Sequence, residues 1–110
     1  MSDIDATVLD RLFATVQSRK GADPESSYTA KLFTKGRAKI AQKVGEEAVE
    51  SVIEAMRDDQ DALASESADL LYHLLVLWAD AGLKPDEVWA KLDARVGTSG
   101  IAEKASRPKE

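Results

Sequence analysis

RAKIAQKVGEEAVESVIEAMRDDQDALASESADLLYHLLVLWADA, residues 37–81, decides the fold. Its first part sets Ile40, Val44, Ala48, Val49, Val52, Ile53 and Met56 on a broad apolar arc at helical spacing, which predicts a helix from about Arg37 to Arg57. Asp58, Asp59, Gln60 and Asp61 then turn the chain. The second part is apolar almost all round, through Leu63, Leu70, Leu71, Leu74, Leu75, Val76, Leu77 and Trp78. It predicts a central, buried helix from about Asp61 to Ala81, closed by Gly82. Two long helices joined by so short a turn form an antiparallel hairpin.

On the N-terminal side, Val8, Leu9, Leu12, Phe13 and Val16 predict a helix over residues 4–18, with Ser2 or Asp3 as its N-cap. Between it and the hairpin, KGADPESSYTAKLFTKG is punctuated by Gly21, Pro24 and Gly36 and reads as a long loop with at most one helical turn. On the C-terminal side, Pro85, Val88, Trp89, Leu92 and Val96 predict a last helix ending at Gly97. Trp78 and Trp89 fall at core spacing and are assigned to packing rather than to stacking on a base. The tail TSGIAEKASRPKE has no clear period. The expected fold is all-α, a four-helix bundle-like arrangement, with a domain over residues 1–97 and a tail over 98–110. A chain this short leaves apolar surface uncovered, so a homodimer or larger homo-oligomer is expected, with the helix over 61–81 or the one from Pro85 supplying the interface.

Composition narrows the function. The chain has 110 residues, 44% apolar and 32% charged, as a folded domain has, and no apolar run long enough for a bilayer. No membrane association is expected, and the acidic start MSDIDATVLDRLF is unlike a signal peptide, so a cytoplasmic location is expected. With no cysteine there is no thiolate nucleophile and no sulfur ligand, and any metal must sit on oxygen or nitrogen. A net charge of −5 argues against sequence-independent nucleic-acid binding. That average hides a reversal: Ser26 to Gly45 contains no acid but carries Lys31, Lys35, Arg37, Lys39 and Lys43 immediately before the acid-rich part of the next helix.

On a wheel turning about 100° per residue, Glu47, Glu50 and Glu54 form one stripe, and Glu66, Asp69 and His73 form another on a helix that is otherwise leucine, valine and alanine. A turn centred near residue 60 would set Glu54 level with Glu66, Glu50 with Asp69 and Glu47 with His73. An E-x-x-E pair on an amphipathic helix is commonplace, but carboxylates on so apolar a helix are hard to explain as solvated surface. Like charges in a partly buried seam repel and lose hydration, so such a cluster persists only where cations or shared protons neutralise it. Magnesium fits, since it takes oxygen ligands at about 2.0–2.1 Å and keeps positions open for water and phosphate. Glu47, Glu50, Glu66 and Asp69 are the expected magnesium ligands; Glu46, about 100° from Glu47 at the edge of the apolar arc, reads as a group supporting the ligands, a ligand to a second ion or a solvated residue. His73 reads as a hydrogen-bonded core residue. Lys31, Lys39 and Lys43 are the expected phosphate-binding groups, because phosphates at a metal still need charge compensation and orientation.

The strings SYTAKLFTKGRAKIAQKVGEEAVESVIEA and ESADLLYHLLVLW resemble the phosphoribosyl-ATP pyrophosphohydrolase family, a branch of the MazG-like all-helical pyrophosphohydrolases, from about Leu9 to the tail. The E-E-x-x-E and E-x-x-D elements match at Glu46, Glu47, Glu50, Glu66 and Asp69 and identify the superfamily; SYTAKLF and SGIAEKASR point to the histidine-pathway branch. The resemblance implies magnesium-dependent hydrolysis of phosphoribosyl-ATP to phosphoribosyl-AMP and pyrophosphate, the second step of L-histidine biosynthesis. In the mechanism expected from the carboxylate stripes, water attacks the α–β linkage, Glu46 or Glu47 takes its proton, and Lys31, Lys39 and Lys43 compensate the phosphoryl charge. Lys104 and Arg107 are expected to reach phosphates from the same or a neighbouring subunit. Two alternatives stand beside this: a MazG-like enzyme for dNTPs or damaged nucleotides, and a non-catalytic helical interaction module.

Overall fold

A computed structural model of the chain describes residues 3–97 and 100–108, and the described residues form six α-helices and no strand. They are α1 (Val8–Ser18), α2 (Tyr28–Lys35), α3 (Arg37–Met56), α4 (Gln60–Ala81), α5 (Pro85–Asp93) and α6 (Gly100–Ser106). The all-α class holds, with two helices beyond the four expected. The first extra helix is α2, inside the presumed loop. Ser27 starts it by accepting a hydrogen bond from the Ala30 amide at 3.1 Å, and Gly36, with φ +97°, ends it. The second is α6, in the stretch read as aperiodic tail; the boundary at residue 98 lies outside the described residues.

Helix ends differ where local hydrogen bonds compete with the helix. Asp5 accepts from both the amide and the hydroxyl of Thr7, at 2.9 and 2.5 Å, and holds residues 5–7 in a turn, so α1 starts at Val8 with Thr7 rather than Asp3 before it; Ser2 lies outside the described residues. α5 stops at Asp93, and the Arg95 and Val96 amides instead close tight turns onto Leu92 and Asp93.

α4 is the centre. α1, α2 and α3 all pack against it, and its Leu75, Val76 and Ala79 are almost wholly buried. They join Val16 of α1, Leu32 of α2 and Ile40 of α3, with Phe13, Phe33 and Tyr72 around the rim. Trp78 and Trp89 meet edge to face at 5.8 Å, and the Trp89 indole donates to Asp10 at 3.2 Å, tying α5 to α4 and α1. Both tryptophans thus serve packing. The apolar arc of α3 is only partly used: Val49 (58% exposed), Val52 (62%), Ile53 (48%) and Met56 (81%) remain open.

The α3–α4 turn is tight. The Asp58 amide bonds the Ala55 carbonyl and the Asp59 amide that of Glu54, both at 3.3 Å, with Asp58 in the left-handed region at φ +58°. Asp59 then caps α4 by accepting from the Ala62 amide at 3.0 Å. At the other end of the hairpin, the Arg37 guanidinium donates to the Asp80 carboxylate at 2.8 Å and to its backbone carbonyl at 3.1 Å.

Asp58 is the one described non-glycine residue at positive φ, where a β-branched side chain is strained. Asp58→Val should therefore lower unfolding stability by about 1–3 kcal/mol. Asp58→Gly and Asp58→Asn should stay within about 1 kcal/mol of the native chain in urea unfolding, because both residues accept this conformation.

Candidate metal centre

The turn sets which carboxylates meet. It centres on Asp58 rather than on residue 60, so level partners lie equally far from Asp58: Glu47 faces Asp69, and Glu50 faces Glu66. The expected pairing of Glu47 with His73 and of Glu54 with Glu66 is therefore shifted by about one helical turn, because the left-handed Asp58 and the Asp59 cap reverse the chain sooner.

Glu47, Glu66 and Asp69 each bring a carboxylate oxygen within 4.8 Å of the others. Glu47 is buried, at 8% exposure, Glu66 is half-buried and Asp69 is exposed, so the group runs from the helix seam out to solvent. Glu50 is exposed and adjoins Glu66 from the next turn of α3. The Oε2 atom of Glu66 is shielded from solvent and receives no hydrogen bond from the protein. The Glu50 carboxylate, then burial, then the Glu47 carboxylate push the Glu66 acid up from 4.5 to about 7. A group so arranged wants a proton or a cation.

His73, the chain's single histidine, is buried at 5% exposure, as expected of a core residue. Its Nδ1 lies 2.7 Å from the Asp69 carbonyl oxygen and its Nε2 lies 3.2 Å from the Tyr28 hydroxyl. Both ring nitrogens are engaged, so the donors left in the seam are all oxygens, a set for hard divalent ions rather than for zinc or copper. Glu54 stands apart near the turn, 3.7 Å from Arg57, and does not join the group.

Glu46 lies outside it too. Its carboxylate is exposed and accepts from the Gln42 amide at 2.7 Å and from the Lys43 ammonium at 3.1 Å. The Gln42 hydrogen bond first, and then Lys43, hold it below the usual carboxylate range. Lys43 is in turn raised, chiefly by Glu46, with smaller contributions from Tyr28 and Glu47. Lys39 is half-buried one turn earlier on α3 and also acts on Glu46. Lys31 is exposed on α2. Lys104 and Arg107 are exposed on and beside α6. The structure thus gathers Glu47, Glu50, Glu66 and Asp69 and sets Glu46, Lys39 and Lys43 along the same side of α3, while Lys31 stands on α2 and Lys104 and Arg107 on and beside α6. Tyr28, which the residue pattern alone does not single out, stands against His73. The S-Y-T-A cap signal at the head of α2 is the cue that would have placed it on a helix.

Residues 9–96 match the family model described as phosphoribosyl-ATP pyrophosphohydrolase. A phosphoribosyl-ATP pyrophosphatase of Azospirillum brasilense is 77% identical over 104 residues, 94% of each chain. One of Paramagnetospirillum magneticum is 60% identical over 106 residues, covering 96% of this chain and 97% of the relative, and one of Gluconobacter oxydans is 61% identical over 103 residues, covering 94% and 77%. With a family match across the whole helical body and similarity nearly end to end, the chain belongs to the phosphoribosyl-ATP pyrophosphohydrolase family.

Proposed function

We propose that the chain hydrolyses phosphoribosyl-ATP to phosphoribosyl-AMP and pyrophosphate, the second step of L-histidine biosynthesis, by attack of water at the α–β phosphate linkage. The observation that carries the chemistry is the meeting of Glu47, Glu66 and Asp69 across the α3–α4 seam, with a shielded Glu66 oxygen that no protein donor satisfies. Family membership supplies the substrate. Among the described residues no helix is long and apolar enough to cross a membrane, which agrees with a cytoplasmic place for the reaction.

The residues present fit magnesium: the donors are oxygens, they come from two rigid helices, and one of them is buried without a partner. Glu47, Glu50, Glu66 and Asp69 would hold it, and its chemistry when bound is neutralisation of the polyphosphate and acidification of water. Glu47 faces the group directly, so the water's proton is assigned to it. Glu46 instead holds Lys43, and with it orients the ammonium toward the charge that develops on the phosphoryl oxygens. Lys39 and Lys31 extend that positive edge along α3 and α2, and Lys104 and Arg107 reach the leaving pyrophosphate from the same or a neighbouring subunit. An open cleft of about 600 Å³ along α3, lined by Gly45, Glu46, Val49, Glu50 and Ile53, adjoins the group at Glu50.

We also assign the exposed apolar stripe of α3 to a second copy of the chain. Val49, Val52, Ile53 and Met56 have the spacing of one helix face, and they form a wider exposed stripe than either α4 or α5 presents. Burying Val52 and Met56 against their own copies gives a self-complementary interface beside the cleft that Val49 and Ile53 line.

Glu50→Gln and Asp69→Asn should each lower magnesium-dependent pyrophosphate release from phosphoribosyl-ATP by about 100-fold or more with the fold intact by circular dichroism. Glu47→Gln should cost about 10²–10⁴-fold, and Glu46→Gln less than Glu47→Gln. Full activity of Asp69→Asn, or release from a dNTP in preference to phosphoribosyl-ATP, would sink the metal or the substrate assignment respectively.

Glu66 gives a pH dependence whose sign is set by its raised acid. Without metal, the folded chain favours protonated Glu66, so its contribution to stability is complete below about pH 4.5 and is lost as pH rises through about 7. Metal-free Glu66→Gln should accordingly melt above the native chain at pH 8, the gap closing by pH 5, and magnesium should raise the melting temperature of the native chain only. Equal melting of the two at pH 8 would contradict it. Val52→Glu should shift the chain to monomer in analytical ultracentrifugation, and an unchanged mass would exclude the α3 stripe as the interface.

A further inference from the structure

Three aromatic rings stand where α2 meets α4. Tyr28 opens α2, and its ring stacks on Tyr72 of α4 at 6.2 Å and 27° while meeting His73 edge-on at 6.0 Å and 84°. The Asp69 carbonyl can only accept, so His73 Nδ1 carries a proton and donates to it. The other ring nitrogen, Nε2, lies 3.2 Å from the Tyr28 hydroxyl and shares a hydrogen bond with it. The Tyr72 hydroxyl is held by Thr29 at 2.5 Å. Both phenols are thus anchored, and the wall they form is rigid.

Tyr28 is nevertheless 51% exposed. Tyr72 stacks on the ring and His73 meets it edge-on, and about half of the residue still lies open to solvent. A tyrosine on the surface normally keeps its rotamer freedom; here that freedom is already given up, and a flat π surface is set in advance at the site's edge. The place is informative. Tyr28 acts on Lys43, and its anchor His73 lies one turn along α4 from Asp69. The two tryptophans are engaged with each other, and Phe13 and Phe33 pack against the core, with Phe33 also under the Lys20 ammonium. Among the described residues Tyr28 is the aromatic residue left about half exposed, and His73 links it to the turn of α4 that carries Asp69.

We propose that Tyr28 is the platform on which the purine ring of the substrate stacks, backed by Tyr72 and held in orientation by His73. The proposal rests on reading the site as one for an adenine-bearing polyphosphate. It separates the labour of binding: carboxylates and lysines take the phosphates, and the α2 wall takes the base. The hydroxyl is engaged with His73, so the residue offers its ring rather than a free hydroxyl to phosphate. Stacking tolerates any purine, which makes Tyr28 a contributor to affinity rather than to choice of base.

Binding separates the two halves of the ligand. Calorimetric titration of the full chain with α,β-methylene-ATP and, separately, with inorganic tripolyphosphate, both in magnesium, is compared for native, Y28F, Y28W and Y28L. Y28F and Y28W, which keep a ring, should bind the nucleotide analogue within about twofold of native or tighter, and Y28L on the order of tenfold more weakly. Tripolyphosphate should bind all four alike. In Y28W the nucleotide analogue should also quench more indole emission than in the native chain, and this readout stands even where Y28L fails to fold. Nucleotide affinity unchanged in Y28L, a parallel loss of tripolyphosphate affinity, or no added quenching in Y28W would overturn the proposal. Pyrophosphate release from phosphoribosyl-ATP by the native chain is measured apart from these, so stacking without release would count against the substrate assignment alone.

Discussion

The mutual repulsion of four carboxylates across one helix seam is the constraint around which the rest of the chain is arranged. Glu47 and Asp69, and Glu50 and Glu66, lie level because the α3–α4 turn centres on Asp58, and a shift of one residue in that turn would rotate either stripe by about 100° out of the seam. Nothing in the acids themselves favours bringing them together. Their approach is enforced by apolar packing further along α4, where Leu75, Val76 and Ala79 are buried among residues of α1, α2 and the start of α3. The tight turn closes one end of the hairpin, and Arg37 on Asp80 spans the other. The resulting electrostatic cost is local, it is visible in the raised Glu66 acid, and a proton or a bound cation would relieve it.

Much of this was legible in the residue pattern. Periodicity alone placed α3 and α4 within a residue at each end, because long amphipathic and apolar helices carry redundant signals. The two acidic stripes were equally plain, since Glu66 and Asp69 interrupt an apolar helix. Register was not legible to better than a turn. It depends on Asp58 adopting a left-handed conformation, which the run Asp58-Asp59-Gln60-Asp61 allows at several positions and the chain takes at one. α2 was hidden for a different reason: its eight residues sit between turn formers, and its stability comes from the Ser27 cap and from Ala30 and Leu32 docking into the core, neither of which has a period to detect.

The roles of neighbouring glutamates illustrate the same limit. Glu46 and Glu47 are adjacent in the chain and lie about 100° apart on the helix, so a single residue of rotation decides which one enters the seam. Packing decides it for Glu47, which is buried, and Glu46 turns to Gln42 and Lys43. A motif that lists both as acidic does not distinguish a group facing a cation from a group organising a lysine. Tertiary contact does.

α3 carries the cleft and the apolar stripe on contiguous turns, and this joins assembly to chemistry. Val49 and Ile53 line the cleft with Glu46 and Glu50, and also belong to the stripe with Val52 and Met56. Gly45, inside α3, costs helix stability relative to alanine, and no atom near its α-carbon requires the missing side chain. Packing within one copy gives no reason for it. Its place at the mouth of the cleft does, because a bare helix surface lets a ligand or a second chain approach the backbone beside Glu46. A second copy seated on Val52 and Met56 would wall the cleft at Val49 and Ile53, lowering the local dielectric around Glu50 and strengthening its hold on any cation. On that proposal the exposed stripe would support the acidic seam as well as the assembly.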